Sequence, residues 1–288
     1  MIAYDIDNSL TVRFNQEETD NLLQKSIPYE KFDEVCEVAH LEISNRCNMK
    51  CKYCYTGKKE HKELSVAQWS IIIANLTASG VFQVSFGGGE PTLREDLFDL
   101  AKIVRANGLN LAMTTNGINL VNLDPVLLKK YFNQINVSWH ENPEDFEKAL
   151  DFLFKHKIAS GINYCYSRKM ARDNDLVKFV AEEFNAEILY LVYKPVIGDY
   201  KNQIPSNEVY KAAKQASDEG LRVGVDGPCV DKCLMKKKFI DVDSLGNVYP
   251  CSFVRKPMGN LLKTNFKEIW QKRGQQDKCP FVKINGEE

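Results

Sequence analysis

The 288-residue sequence has almost no net charge: 38 lysines and arginines against 39 aspartates and glutamates leave −1 with histidine neutral. Because the two signs are interspersed, no single-sign field exists to gather a nucleic acid or an anionic membrane. The longest basic run, Lys236-Lys237-Lys238, reads as a solvated stretch beside a turn. No apolar run approaches the ~20 residues that a membrane helix requires. The chain opens Met1-Ile2-Ala3-Tyr4-Asp5, without the basic, apolar, small-residue pattern of a secretory leader. A cytoplasmic location is therefore expected, with no membrane and no nucleic acid among the partners.

Cysteine, by contrast, is plentiful. Nine cysteines in a reducing compartment favour metal ligation over disulfides. Three stand together in Cys47-Asn48-Met49-Lys50-Cys51-Lys52-Tyr53-Cys54. A cubane 4Fe-4S cluster has four irons, normally satisfied by four cysteines, so a C-x3-C-x2-C triplet leaves one iron open. A soft, redox-capable metal with a free position can pass an electron into a bound ligand, whereas a closed tetrahedral site is usually structural. Zinc is the alternative, but it usually takes separate C-x2-C pairs or histidines at finger spacing. A second signal is Gly87-Gly88-Gly89-Glu90-Pro91, directly after the strand-like run Val81 to Phe86. Glycines let a backbone approach a ligand closely, and Glu90 offers a carboxylate to a ligand ammonium.

These two elements and their spacing resemble the radical S-adenosylmethionine (radical SAM) superfamily, over roughly residues 40 to 280. The resemblance implies that Cys47, Cys51 and Cys54 carry a SAM-binding 4Fe-4S cluster. It implies that the turn around Gly88, Gly89 and Glu90 holds the amino group of the SAM methionine moiety, and that Tyr53 lies near the adenine. By position in the family pattern, Thr115 and Asn116 of Thr114-Thr115-Asn116-Gly117, and Ser138, are further SAM contacts. The family's common Ser-x-Asp is Ser138-Trp139-His140 here, which leaves His140 as a hydroxyl contact, a substrate proton acceptor or a surface residue. Arg168 offers a guanidinium that matches the SAM carboxylate. The implied reaction starts when an electron, from a donor such as flavodoxin or ferredoxin, enters the sulfonium and breaks a C–S bond. The 5′-deoxyadenosyl radical so released abstracts a hydrogen atom from the substrate.

From residue 40 onward, β-rich runs alternate with amphipathic helical stretches in six pairs. The strands are expected at His40 to Asn45, Phe82 to Phe86, Leu109 to Thr114, Gln134 to Trp139, Gly161 to Tyr166 and Glu187 to Tyr193. The helices are expected at Ser65 to Ser79, Leu93 to Asn107, Pro125 to Phe132, Glu144 to Lys157, Asn174 to Phe184 and Asn207 to Glu219. Ser65 reads as an N-cap, with Ile71, Ile72, Asn75 and Leu76 setting the helical face. Such alternation requires parallel strands joined by right-handed crossovers. The expected fold is therefore α/β, a partial (β/α)6 barrel with a small C-terminal cluster-binding hairpin and helix extension. Both motifs then fall at the carboxyl ends of strands, where barrel chemistry sits. Three segments are expected: a hairpin and helix over 1–39, the barrel over 40–222 and an auxiliary-cluster region over 223–288. Within the first, Ala3 to Asp7 and Leu10 to Phe14 read as a hairpin, followed by a helix around Glu17 to Lys25.

Cys229, Cys233, Cys251 and Cys279 follow the sixth helix, and Ser244-Leu245-Gly246-Asn247 reads as the turn of a hairpin between β-like runs. This resembles the C-x(9–15)-G-x4-C signature of the twitch or SPASM extension. The resemblance implies one auxiliary 4Fe-4S cluster, which these four cysteines would close; structural zinc is the alternative. Cys36 reads as a buried small residue. Strand parity places Asn163 and Cys165 on one face, so Cys165 is either core packing or a thiol able to give substrate a hydrogen atom. Lys194-Pro195 lines the substrate side or a solvated rim. By family analogy the substrate is a side chain of a ribosomally made peptide, modified by crosslinking, thioether formation or epimerisation. A small molecule is the alternative substrate, and a non-catalytic iron-sulfur or zinc protein the alternative in kind.

Overall fold

The structure, a computed structural model, describes residues 36–56, 62–195, 198–226 and 238–273, with the backbone alone for 2–5 and 10–13. The two short N-terminal strands, β1 (Ile2–Asp5) and β2 (Leu10–Arg13), pair antiparallel, as the hairpin reading expects. The helix expected around Glu17 to Lys25 lies outside the described residues.

From residue 38 the chain alternates strand and helix. The elements are β3 (Val38–Ser44), α1 (Val66–Ala78), β4 (Gln83–Gly88), α2 (Leu97–Ala106), β5 (Asn110–Thr115), α3 (Pro125–Tyr131) and β6 (Gln134–Ser138). They continue with α4 (Pro143–Lys155), β7 (Ser160–Tyr166), α5 (Asn174–Glu183), β8 (Glu187–Val192), α6 (Ser206–Asp218) and β9 (Val223–Val225). Local chemistry fixes these boundaries. Ser65 and Gln68 form a capping box on α1. Asp124 and Asn142 cap α3 and α4, each followed by proline at the first helical position. The second helix starts later than expected, because Pro91–Leu93 forms a separate 3-10 turn before it.

Strands β3 through β9 are all parallel and hydrogen-bonded in sequence order. The stretch β3–β9 thus holds seven parallel strands among the described residues, one more than the six expected, since β9 is too short to show a period. It lies just past residue 222, so the expected segment boundary falls inside the sheet. The C-terminal strands β10 (Phe239–Val242), β11 (Asn247–Tyr249) and β12 (Gly259–Asn260) continue the same sheet on its other side. The expected hairpin is present as the antiparallel β10–β11 pair, with Gly246 at φ +81° in its turn. Its first strand pairs in parallel with β3, His40 opposite Asp241. Helix α7 (Phe266–Gln271) follows, its first residue's N–H received by Asn75 of α1 at 3.0 Å.

Each strand divides its side chains by parity. Leu41, Ile43, Val84, Phe86, Leu111, Met113, Ile135, Val137, Ile162, Ile188 and Val242 are fully buried in the core. His40, Gly87, Thr114, Ser138, Asn163, Cys165, Leu191 and Phe239, on the opposite parity, line a cavity. On α1 the buried face is Trp69, Ile72, Ile73 and Leu76, while Ile71 is exposed, against expectation. Among the described residues no helix is long and apolar enough to cross a membrane.

Candidate active site

The cavity has a volume of about 510 Å³ and opens where the carboxyl ends of the parallel strands meet the cysteine loop and the segment after β11. Cys47, Cys51 and Cys54 all face it, from the loop that leaves β3. Glu63 pins the start of that loop: Ser44 Oγ donates to its Oε1 at 2.7 Å, and the Asn45 N–H at 3.1 Å. Burial opposes ionisation there, but the hydrogen bonds from Ser44, Asn45 and Arg46 hold the Glu63 carboxyl below its usual range. Arg94 adds a second brace, donating to the Leu64 carbonyl at 2.7 Å. Burial, then the neighbouring thiols of Cys54 and Cys47, push the Cys51 thiol up to about 11. A cation bound among these thiols would reverse that shift. Among the described residues no three His, Cys, Asp or Glu side chains converge as they would on a single metal ion. Cys47, Cys51 and Cys54 nevertheless all line one cavity from one loop.

Glu90 is the hub of the adjoining edge and is 1% exposed. Its Oε1 accepts from Thr92 N at 3.1 Å, Thr92 Oγ1 at 2.6 Å and Thr115 Oγ1 at 2.7 Å. Its Oε2 accepts from the Asn116 N–H at 2.7 Å. A carboxylate has about four lone-pair sites, so Oε2 retains capacity for one more donor, as a ligand ammonium would be. The glycines before it answer to the protein as much as to a ligand. Gly88 sits at φ +111°, and a Cβ there would lie 2.4 Å from the Ser44 carbonyl; at Gly89 it would lie 2.1 Å from that of Arg46. Only bare backbone permits the Gly89 N–H to reach Ser44 O and the Glu90 N–H to reach Arg46 O, both at 2.7 Å. The glycine turn and the cysteine loop are thereby one unit. Asn116 extends it, its Nδ2 donating to Asn48 Oδ1 at 2.7 Å.

Across the cavity, the Tyr53 hydroxyl lies 2.7 Å from His140 Nδ1. Burial raises the Tyr53 phenol, which keeps its proton, and lowers His140 to about 4. The Tyr53 hydroxyl either donates to a bare Nδ1 or accepts from Nδ1–H, according to the ring's tautomer. Ser138, Thr115 and Asn116 line the cavity. Arg168 does not: its side chain is exposed and outside the lining. The cation that does reach the wall is Lys194, ion-paired to Asp226 beyond β9. Its ammonium stands 4.6 Å over the Phe253 ring. Asn163 and Cys165 share the inner face, as parity expects. Burial drives the Cys165 thiol up to about 11, with Lys194 opposing and Asp226 adding to the rise.

Of the second cysteine set, Cys251 is half-buried and lines the same cavity. Cys229, Cys233 and Cys279 lie outside the described residues. Beside Cys251 is a charge cluster that pattern reading does not find. His40 Nδ1 is 2.6 Å from Asp241 Oδ1, and Arg255 bridges Asp241 and Glu42. Glu42 and Asp241 are 0% exposed, a placement that costs several kcal/mol per ion unless each is paired.

Residues 41–164 match the Radical SAM superfamily, and residues 233–286 match the SPASM iron-sulfur cluster-binding domain. An S-adenosylmethionine-dependent nucleotide dehydratase of Selenomonas ruminantium is 35% identical over 96 residues, 32% of this chain and 35% of that protein. A probable GTP 3′,8-cyclase of Methanocaldococcus jannaschii is 30% identical over 138 residues, 46% of each chain. The matches thus span a third to a half of these relatives' length. The structure of Streptococcus suis SuiB bound to precursor peptide SuiA has the same fold: TM-score 0.71 at 16% identity, covering 92% of this chain and 70% of that one.

Proposed function

The chain belongs to the radical SAM superfamily of enzymes and carries a SPASM-type C-terminal region, and from that premise we propose that it modifies a side chain of a ribosomally made peptide. Membership implies SAM, a SAM-binding 4Fe-4S cluster and an auxiliary iron-sulfur cluster. When bound, SAM and its cluster supply a one-electron C–S cleavage and so a hydrogen-abstracting species.

In this reading Cys47, Cys51 and Cys54 hold the first cluster, and Cys251, with Cys229, Cys233 and Cys279, holds the second. The glycine turn and Glu90 would hold the methionine ammonium. Tyr53, held by His140, and Ser138 would border the adenosine. Cys165 faces the substrate side as a protonated thiol, the form able to return a hydrogen atom. A flavodoxin- or ferredoxin-like donor provides the electron.

The choice of peptide over nucleotide rests on charge. Lys194 is the one lysine or arginine among the described residues lining the cavity, and Asp226 already neutralises it. A nucleoside triphosphate brings about four negative charges and calls for several cations. Trp139, Leu191, Tyr193 and Phe253 instead offer apolar and aromatic wall, which suits an amino-acid side chain. The fold shared with SuiB, whose structure holds a precursor peptide, supports this reading. The nucleotide-handling names of the sequence relatives favour the small-molecule alternative. Equilibrium dialysis of the reconstituted protein against GTP separates the two. Binding no tighter than about 1 mM is expected, alongside 5′-deoxyadenosine release stimulated by synthetic peptides encoded beside the gene; micromolar GTP binding would overturn the peptide reading.

A further inference from the structure

Arg255 belongs to the segment after β11, yet its guanidinium reaches the inner face of the sheet. Nη1 lies 2.5 Å from Asp241 Oδ2 and 2.9 Å from Glu42 Oε1, and Nη2 donates to Glu42 Oε2 at 3.0 Å. Its plane stands 4.4 Å over the ring of Tyr249. Glu42 is on β3 and Asp241 on β10, the parallel pair that joins the C-terminal strands to the rest of the sheet. Two carboxylates wholly removed from water on adjacent strands cannot both stay ionised without countercharge. His40 answers Asp241, and Arg255 answers both.

The position of Arg255 in the chain gives this pairing a second consequence. It follows Phe253 by two residues and Cys251 by four. Cys251 and Val254 form a short bridge, and Arg255 Nη1 reaches the Ser252 carbonyl at 3.4 Å. The tight turn that the guanidinium anchors is thus the turn that presents Cys251, Ser252 and Phe253 to the cavity. From there the Phe253 ring meets Tyr55 of the cysteine loop at 5.2 Å.

We propose that Arg255 is a positioning residue: by neutralising Glu42 and Asp241 on the inner face of the sheet, it holds segment 251–253 as one wall of the cavity. The wall is set by the barrel's own buried charges and not solely by a metal bound to Cys251. The functional weight of this rests on the cavity being the SAM and substrate site; the positioning itself does not.

The test is hydrogen exchange of the reconstituted full-length protein, with and without SAM, read on the peptide covering residues 249–256. Arg255→Gln is expected to speed exchange there at least tenfold while leaving helix α4 within twofold. Arg255→Lys, which restores charge without the fork, should recover most of the protection, to within about threefold of wild type. The triple variant Arg255→Gln, Glu42→Gln, Asp241→Asn should not recover it, because the anchor is still missing although no buried charge needs an answer; recovery to within twofold of wild type would overturn the proposal. Exchange within twofold of wild type in Arg255→Gln overturns the proposal, as does equal acceleration throughout the sheet. If Arg255→Gln does not fold, Arg255→Lys decides: a measurable rise confined to 249–256 is expected, and none overturns the proposal. Absence of SAM binding by the wild type would undo the reading of the cavity while leaving the SAM-free exchange result to judge Arg255.

Discussion

The Glu90 carboxylate and the Asn116 backbone are joined by a 2.7 Å hydrogen bond that links the turn after β4 to the turn after β5. With Thr92 and Thr115 also donating to it, Glu90 is a staple between two loops as well as a candidate ammonium site. An alanine there would loosen the loops and confuse the two roles.

Glu90→Gln separates them, since glutamine keeps one acceptor and the side-chain length while removing the charge. A charge-assisted hydrogen bond contributes about 1.5–3 kcal/mol, so SAM affinity should fall on the order of tenfold to a hundredfold. Iron content should stay near that of wild type, because no cysteine is disturbed. Isothermal titration with SAM, alongside iron quantification, checks both. Unchanged affinity would reduce Glu90 to the staple alone.

Replacing Cys47, Cys51 and Cys54 together by alanine should lower the iron of the anaerobically reconstituted protein from about eight per chain to about four. SAM cleavage under dithionite should be lost, since these thiols stand on the loop that the glycine turn before Glu90 is hydrogen-bonded to. A wild-type protein that holds zinc and no iron would refute the assignment of both sites.

Much of this arrangement is legible in local sequence because its causes are local. The capping box at Ser65, the proline-started helices at Pro125 and Pro143, and the parity of Asn163 and Cys165 each depend on residues within a few positions. The turn at Gly246 is legible for the same reason. What escapes is whatever the sheet brings together from afar. Arg255 and Glu42 are 213 positions apart and Lys194 and Asp226 are 32 apart, and nothing in the neighbourhood of any one names its partner. The three-residue β9 shows no alternation to detect, and it is only its pairing with β8 that defines it. The glycine turn was legible as a site, but part of its reason lies in the close approach of Ser44 and Arg46, which only the folded chain shows.

His40 gives the folded protein a pH dependence whose sign can be worked out. Burial alone would depress its pKa, but the hydrogen bond and charge of Asp241, with Glu42 behind it, outweigh burial and raise it above the ordinary 6.5. A group with a raised folded-state pKa stabilises fully below its unfolded value and loses that contribution as pH climbs through the folded value. The stability advantage of wild type over His40→Gln should therefore be largest near about pH 6 and shrink toward about pH 9. Urea unfolding across that range is the measurement, and an advantage that grows with pH would show that His40 is neutral when folded.

Lys194 and Asp226 both line the cavity, and their side chains are 6% and 21% exposed. Lys194→Ala leaves Asp226 without its cation and strips Phe253 of the ammonium above its ring. A fully buried pair broken on one side costs about 3–5 kcal/mol. Asp226 keeps some contact with water, so a loss of about 1–2 kcal/mol is expected here. The Cys165 thiol should change as well, since Lys194 opposes its rise and Asp226 adds to it. With the ammonium gone and the carboxylate left, the thiol becomes still harder to ionise, and its alkylation by iodoacetamide should slow at a fixed alkaline pH. Denaturant titration gives the first number and the alkylation rate the second. A variant that is as stable as wild type and alkylates faster would mean that the Lys194–Asp226 pair does not govern this wall.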